Sequence, residues 1–390
     1  MTVVAADPHA LAARWEERVM RAAHPLAYPL LRASRRPVRR VPGLGVLVTD
    51  AAMIRATLLN TASFTKTGPG SPADLWTPVL GPSVLLNMEG PDHASLRRRL
   101  APLFAPSYVD GLVSESLAPA LGALARSLQN HEQVDIVEEV RRYASIAISR
   151  LVGLGESVVN DELFRRVSSI TAMVRLSRPR LSPTHIIAAK RVMDDLGVHA
   201  QTAYRDGDEN TVPGRMRSLG LTETEAMGAV GAFVLTGTET LVSYIPRLVC
   251  LLVDSGWLPM IAADRALVEP AIAESLRVTT PSPVMLRSVV ADDAIGPVRV
   301  RPGDRVILAT FAANRSLGPF DPAANTAAVL KQLWFGAGSH FCLGAPLAMA
   351  QIRLVLEMLL DAAPDARIVR RAAARRVLIP GYSTVVLQRS

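Results

Sequence analysis

Apolar residues recur at three- and four-residue intervals along most of this chain, the spacing of helices that bury one face. The pattern predicts helices over 111–128, 137–151, 222–253, 265–277 and 345–361. Short alternating or β-branched runs bounded by Pro, Gly and Asp predict strands over 45–48, 298–300, 306–310 and 383–387. Pro302-Gly303-Asp304 is a turn signal that predicts a hairpin between two of them. The segment 68–86, rich in Gly, Pro and Ser, reads as a long irregular loop, and 177–183, with Pro179 and Pro183, as a mobile connection. The expected fold class is mainly α with small β-sheets.

Length and composition narrow this picture. The 390 residues are 49% hydrophobic and 20% charged, enough apolar material for a large core. No linker, low-complexity block or repeat divides the chain, so 1–390 is expected to form a single domain. The first 28 residues carry Asp7, Arg14, Glu16, Glu17, Arg18 and Arg21, unlike a signal peptide or membrane anchor, and a cytoplasmic protein with no membrane contact is expected. Cys250 and Cys342 are the two cysteines, and neither has the close second ligand of a zinc site. A formal charge of +8 does not gather on a nucleic-acid motif, so no nucleic acid is expected. The arginines read first as a solvated basic surface; the alternative is a basic docking face for an acidic electron-transfer partner, for which Arg98 and Arg99 are candidates.

The segment richest in chemistry is Phe335-Gly336-Ala337-Gly338-Ser339-His340-Phe341-Cys342-Leu343-Gly344, which precedes a helix opening near Ala345-Pro346. Proline suits the first turn of a helix, and free N–H groups at that end stabilise an anion. Cys342 is therefore expected to ionise easily. Glycines 336, 338 and 344 leave the backbone bare around the sulfur, so that a flat ligand can approach and N–H groups can face a thiolate.

This run resembles the haem-binding signature FxxGxxxCxG of the cytochromes P-450, Phe335 and Gly344 included. The resemblance implies the cytochrome P-450 fold and haem b, with Cys342 as the iron's thiolate ligand. It also implies that His340 faces a haem propionate.

Further segments resemble the family in the same order. Glu274-Ser275-Leu276-Arg277 matches its structural ExxR pair, which an i, i+3 spacing puts on one helix face. Segment 321–333 lacks the arginine that the family adds to this pair, so backbone carbonyls or Lys331 are expected to substitute. His93 and Arg97 match the HxxxR pair, and with Arg287 they are implied propionate partners. Thr236-Gly237-Thr238-Glu239-Thr240 resembles AGx[DE]T, implying that Gly237 lets the helix open beside oxygen while Glu239 and Thr240 relay protons. Phe311-Ala312-Ala313-Asn314-Arg315 resembles a further run after the central sheet.

By this resemblance the chain is a monooxygenase that inserts one oxygen atom from O2 into a small hydrophobic substrate, as in secondary metabolism. The substrate is expected to meet Leu85, Leu86, Phe233, Thr236, Val284 and Met285. Electrons are expected from a separate ferredoxin and ferredoxin reductase. Two other readings stand beside it, a peroxide-driven peroxygenase on the same fold and a haem-binding sensor without turnover; the acid and alcohol at 239 and 240 favour the oxygen route.

Overall fold

The computed structural model describes residues 8–33, 36–155, 161–174, 180–324 and 326–390. Helices dominate, and at their centre lies the 32-residue helix Glu223–Asp254. The Thr222 side chain and the Glu225 carboxylate satisfy each other's backbone N–H groups in a capping box that fixes where it starts. Packed around it are the helices Ile136–Leu151, Pro183–Asp206 and Val268–Thr279. Ala345–Ala362, the helix after the cysteine loop, lies on Pro106–Gln129. Glu223–Asp254 is long and apolar enough to cross a bilayer, but neighbouring protein buries 61% of its most apolar window, as in a core helix.

Three small sheets flank the helices. The largest runs in the order Val38–Val41, Gly45–Val48, Arg305–Leu308, Met285–Val289, Phe64–Thr65. Its second and third strands are parallel and its other neighbours antiparallel. Val134–Asp135, Tyr382–Arg389 and Ala366–Ala373 form a second sheet, and Asp293–Ile295 pairs with Val298–Val300 in a third.

The predicted helices and strands are present, with three corrections. The turn at 302–304 joins no hairpin. Val298–Val300 pairs backwards with Asp293–Ile295, while Arg305–Leu308 pairs in the large sheet. The Arg40 guanidinium grips Asp304 at 2.8 Å, so the turn passes the chain between two sheets. The strand there ends at Leu308, since Thr310 opens the short helix Thr310–Arg315.

The third correction is that segment 68–86 is not all loop. Pro72–Leu80 is a helix that buries Ala73, Trp76, Val79 and Leu80. Its Pro72 sits in the first turn, where the missing N–H costs nothing, so composition alone misled. Of the predicted connection 177–183, residues 177–179 lie outside the described residues, and Ser182 caps Pro183–Asp206 through the His185 N–H at 3.2 Å.

The helix Pro72–Leu80 meets the central helix at Gly228. A Cβ on Gly228 would lie 2.5 Å from the Leu80 carbonyl oxygen, and backbone cannot step aside as a flexible side chain can. Gly228→Ala is expected to lower stability by roughly 1–3 kcal/mol, the usual cost of overpacking. Urea unfolding checks this, and an unchanged midpoint would contradict the close approach.

Candidate active site

The chain enters the cysteine loop through one 3-10 turn, Leu333–Phe335, and leaves it into Ala345–Ala362 with Pro346 in the first turn. Gly336 and Gly338 hold φ angles of 84° and 69°, where side chains are strained. Gly344 is different: its φ is −81°, and a Cβ there would meet nothing within 4 Å. The Phe335 carbonyl accepts the Cys342 N–H at 2.9 Å, and the Phe335 ring meets the edge of Phe341.

The expectation that Cys342 ionises easily is corrected. Burial pushes its thiol up, and the N–H groups of Gly344 and Ala345, with the charges of Arg97 and Lys66, offset that only in part. The residue is exposed, and the surrounding protein still desolvates its sulfur enough to disfavour the thiolate.

Cations converge on this loop. His93 lies one turn before Arg97 on the helix Gly90–Leu100, and Arg97 donates to the Phe341 carbonyl at 2.5 Å. The His93 and His340 rings are 4.2 Å apart between centroids. Arg287, 5% exposed, comes from the strand Met285–Val289 and donates to the Leu286 carbonyl at 2.8 Å. Burial lowers it to about 10, against the pull of Glu89. Burial, then the nearby charges of His340, Lys66 and Arg97, holds His93 down at about 4.

Two further residues complete the cluster, and the sequence reading missed both. Glu89 accepts from His340 Nε2 at 2.5 Å and from the Lys66 N–H at 2.8 Å. Burial alone would raise its carboxyl, but these bonds and the Arg287 charge bring it down to about 2. Lys66 has no motif around it; the strand register that carries it to the site is invisible in a linear pattern. Glu89, just before the matched Gly90–Arg97 segment, was the more legible of the two.

On the central helix the expected pair is arranged differently from expectation. Thr240 Oγ1 donates to the Thr236 carbonyl at 3.0 Å. Glu239 turns to neighbouring helices, where it accepts from Ser168 Oγ, lies 3.5 Å from Thr171 Oγ1 and 3.6 Å from Arg141 Nη1. The helix is unbroken at Gly237, where a Cβ would come 3.0 Å from Ile148 Cδ1. Gly237 thus serves close helix packing in this structure, and no opening of the helix is seen there.

The expected pocket positions divide. Leu85, Leu86, Phe233 and Met285 are half-buried against the main core, with Phe233 5.2 Å from the Phe104 ring and Met285 within 4 Å of where a Gly336 Cβ would stand. Thr236 is exposed. Val284 does not join them: it packs with Leu31, Leu47, Ile307 and Ala309 in a separate cluster, because side chains alternate along an extended segment.

Behind the site, Glu274 and Arg277 are fully buried and paired. In place of a further arginine, the Arg277 guanidinium donates to the carbonyls of Asn314 at 2.8 Å, Gly318 at 3.1 Å and Pro319 at 2.8 Å. The Asp321 N–H donates to Glu274 at 3.1 Å. Backbone carbonyls therefore do what was expected of them or of Lys331. Lys331 instead offers its carbonyl to Arg55.

An iron porphyrin fits this donor set. Cys342 offers one soft ligand beside a glycine that leaves its flank clear, and the cation cluster suits two carboxylate arms. His340 Nδ1 is buried with no hydrogen-bond partner among the described residues, a donor or acceptor awaiting one.

Comparison with known proteins agrees with this chemistry. The family model described as cytochrome P-450 matches residues 262–362. The chain is 30% identical over 310 residues to cytochrome P-450 107B1 of Saccharopolyspora erythraea, covering 75% of this chain and 72% of that one. It is 28% identical to the mycinamicin IV hydroxylase/epoxidase of Micromonospora griseorubida, covering 85% and 86%. The fold matches P-450BioI, solved with an acyl carrier protein carrying hexadec-9Z-enoic acid, at a TM-score of 0.80 and 22% identity over 93% of this chain and 98% of that one. The architecture, the cysteine loop and this kinship together place the chain in the cytochrome P-450 family, the haem b monooxygenases that use O2 and electrons from redox partners.

Proposed function

We propose that this chain works as one catalytic unit in which Cys342 ligates the haem iron and His93, Arg97, Arg287 and His340 hold the propionates, with Phe335 and Gly344 framing the loop. The observation that carries this reading is the convergence of two guanidiniums and two imidazoles on the cysteine loop, tied to it by the Arg97 bond to Phe341. Haem b, when bound, supplies the one-electron and oxygen chemistry that side chains lack. Metal coordination deprotonates a thiol outright, so the raised Cys342 value is no obstacle to ligation.

Glu239 and Thr240 move protons toward the reacting oxygen, Glu239 being held by Arg141, Ser168 and Thr171. Leu85, Leu86, Phe233, Thr236 and Met285 orient a small hydrophobic substrate, while Gly237 allows the close contact of the central helix with Ile148. A cytoplasmic tailoring step of secondary metabolism fits the mycinamicin hydroxylase/epoxidase among the relatives. Electrons then come from a ferredoxin and its reductase.

The test is the absorption spectrum of the dithionite-reduced protein under carbon monoxide, beside that of Cys342→Ser. A strongly red-shifted Soret band is expected in the parent protein alone. Haem that ignores the substitution would overturn the ligand assignment.

A further inference from the structure

We infer that Lys66 is a further cofactor-holding residue, a third fixed cation that completes the charge balance for the two carboxylate arms of the haem; this rests on the haem reading above. Three basic side chains, Lys66, Arg97 and Arg287, all charged at neutral pH, gather near Cys342, and Glu89 is the carboxylate set among them within the described residues. Two positive charges are left over before any imidazole is counted. That is the charge of two carboxylates with the sign reversed.

Backbone geometry shows that Lys66 is held in place. Phe64 and Thr65 pair antiparallel with Val289 and Ser288, and continuing that register by one residue sets Lys66 across from Arg287. Like charges directly opposite in a sheet are destabilising unless an anion lies between them. The Lys66 N–H donates to Glu89 at 2.8 Å and its carbonyl accepts from Ala73 at 3.2 Å. Thr65 and Thr67 bridge across it through their hydroxyls at 2.9 Å. A lysine serving only solubility has no need of a backbone pinned on both sides.

Burial supports the same reading. Desolvation first, then Arg287, brings the Lys66 ammonium down to about 8, while Glu89 pulls the other way. The protein therefore keeps a cation here at a cost that a bound anion would offset.

The experiment compares the parent holoprotein with Lys66→Met and Lys66→Arg. Removing one charge-assisted partner is expected to speed haem transfer to excess apomyoglobin roughly tenfold, since such a bond contributes about 1.5 kcal/mol or more. A lost positive charge also disfavours the reduced state. The ferric-to-ferrous equilibrium is expected to shift roughly threefold toward ferric, about 28 mV at 59 mV per tenfold for one electron. Lys66→Arg should restore both values.

The holoprotein also separates this role from a structural one. The potential should fall in Lys66→Met and return in Lys66→Arg, whereas a lysine serving structure alone would speed haem release and leave the potential unchanged. An unchanged potential, or haem release that Lys66→Arg does not slow again, would overturn the assignment of Lys66. If Cys342→Ser leaves the haem spectrum unaltered, it is the haem-thiolate reading that fails, and the two failures are told apart.

Discussion

Arg277→Leu is expected to cost about 3–5 kcal/mol and to yield little soluble protein at 37 °C, because it strands a fully buried carboxylate. Glu274 loses the guanidinium it is paired with, while the Asp321 N–H still donates to it at 3.1 Å. The loss does not stop at the acid. The carbonyls of Asn314, Gly318 and Pro319 also lose their donor, and a buried polar group left alone costs about 1–3 kcal/mol. Those carbonyls lie between the large sheet and the cysteine loop, so the strain falls on the segment that delivers Cys342.

For this reason Glu274→Met with Arg277→Leu should recover only part of the loss. Removing both charges relieves the stranded acid, but the three carbonyls remain without a donor. Urea denaturation of the soluble fractions measures both variants. A double variant as stable as the parent would show that the carbonyl bonds contribute little.

Glu239→Gln is expected to slow oxygen-dependent turnover roughly a hundredfold, within the usual range for a lost acid–base group. An amide can accept from Ser168 but cannot carry a proton onward, and it no longer attracts Arg141. The Thr240 hydroxyl donates to the Thr236 carbonyl, which leaves its oxygen free to accept a hydrogen bond from a water or a substrate hydroxyl, while Glu239 is bonded elsewhere. Glu239 must then deliver through a turn of its side chain away from Ser168 or through water. Stopped-flow mixing of the reduced protein with oxygen, in light and heavy water, gives the readout without knowing the substrate. Equal rates and equal solvent isotope effects in parent and variant would remove Glu239 from the proton path.

How legible each part was depended on whether its cause is local. The start of the central helix near Thr222 and the i, i+3 spacing of Glu274 and Arg277 are written into short windows, and both appear where the pattern put them. The same holds for Gly336 and Gly338, whose positive φ angles are a property of the loop alone. Segment 68–86 failed for a local reason too, since proline in a first helical turn has the composition of a loop.

Contacts between distant segments were another matter. Glu16 and Arg247 form a fully buried ion pair across 231 residues of chain, and nothing near either residue announces it. Lys66 meets Arg287 through strand register, and Glu89 meets His340 across 251 residues. The turn at 302–304 looked like a hairpin because sequence shows a turn but not which strand the next one will join. By itself the sequence determined the periodic helices, the cysteine loop and the family's order of motifs, because spacing and backbone preference act within a few residues. Only the tertiary structure decided that Glu239 faces Ser168 and Arg141, that carbonyls satisfy Arg277, and that Lys66 joins the cation cluster. Charge and hydrogen bonding act through space, and packing alone sets which remote groups come within their reach.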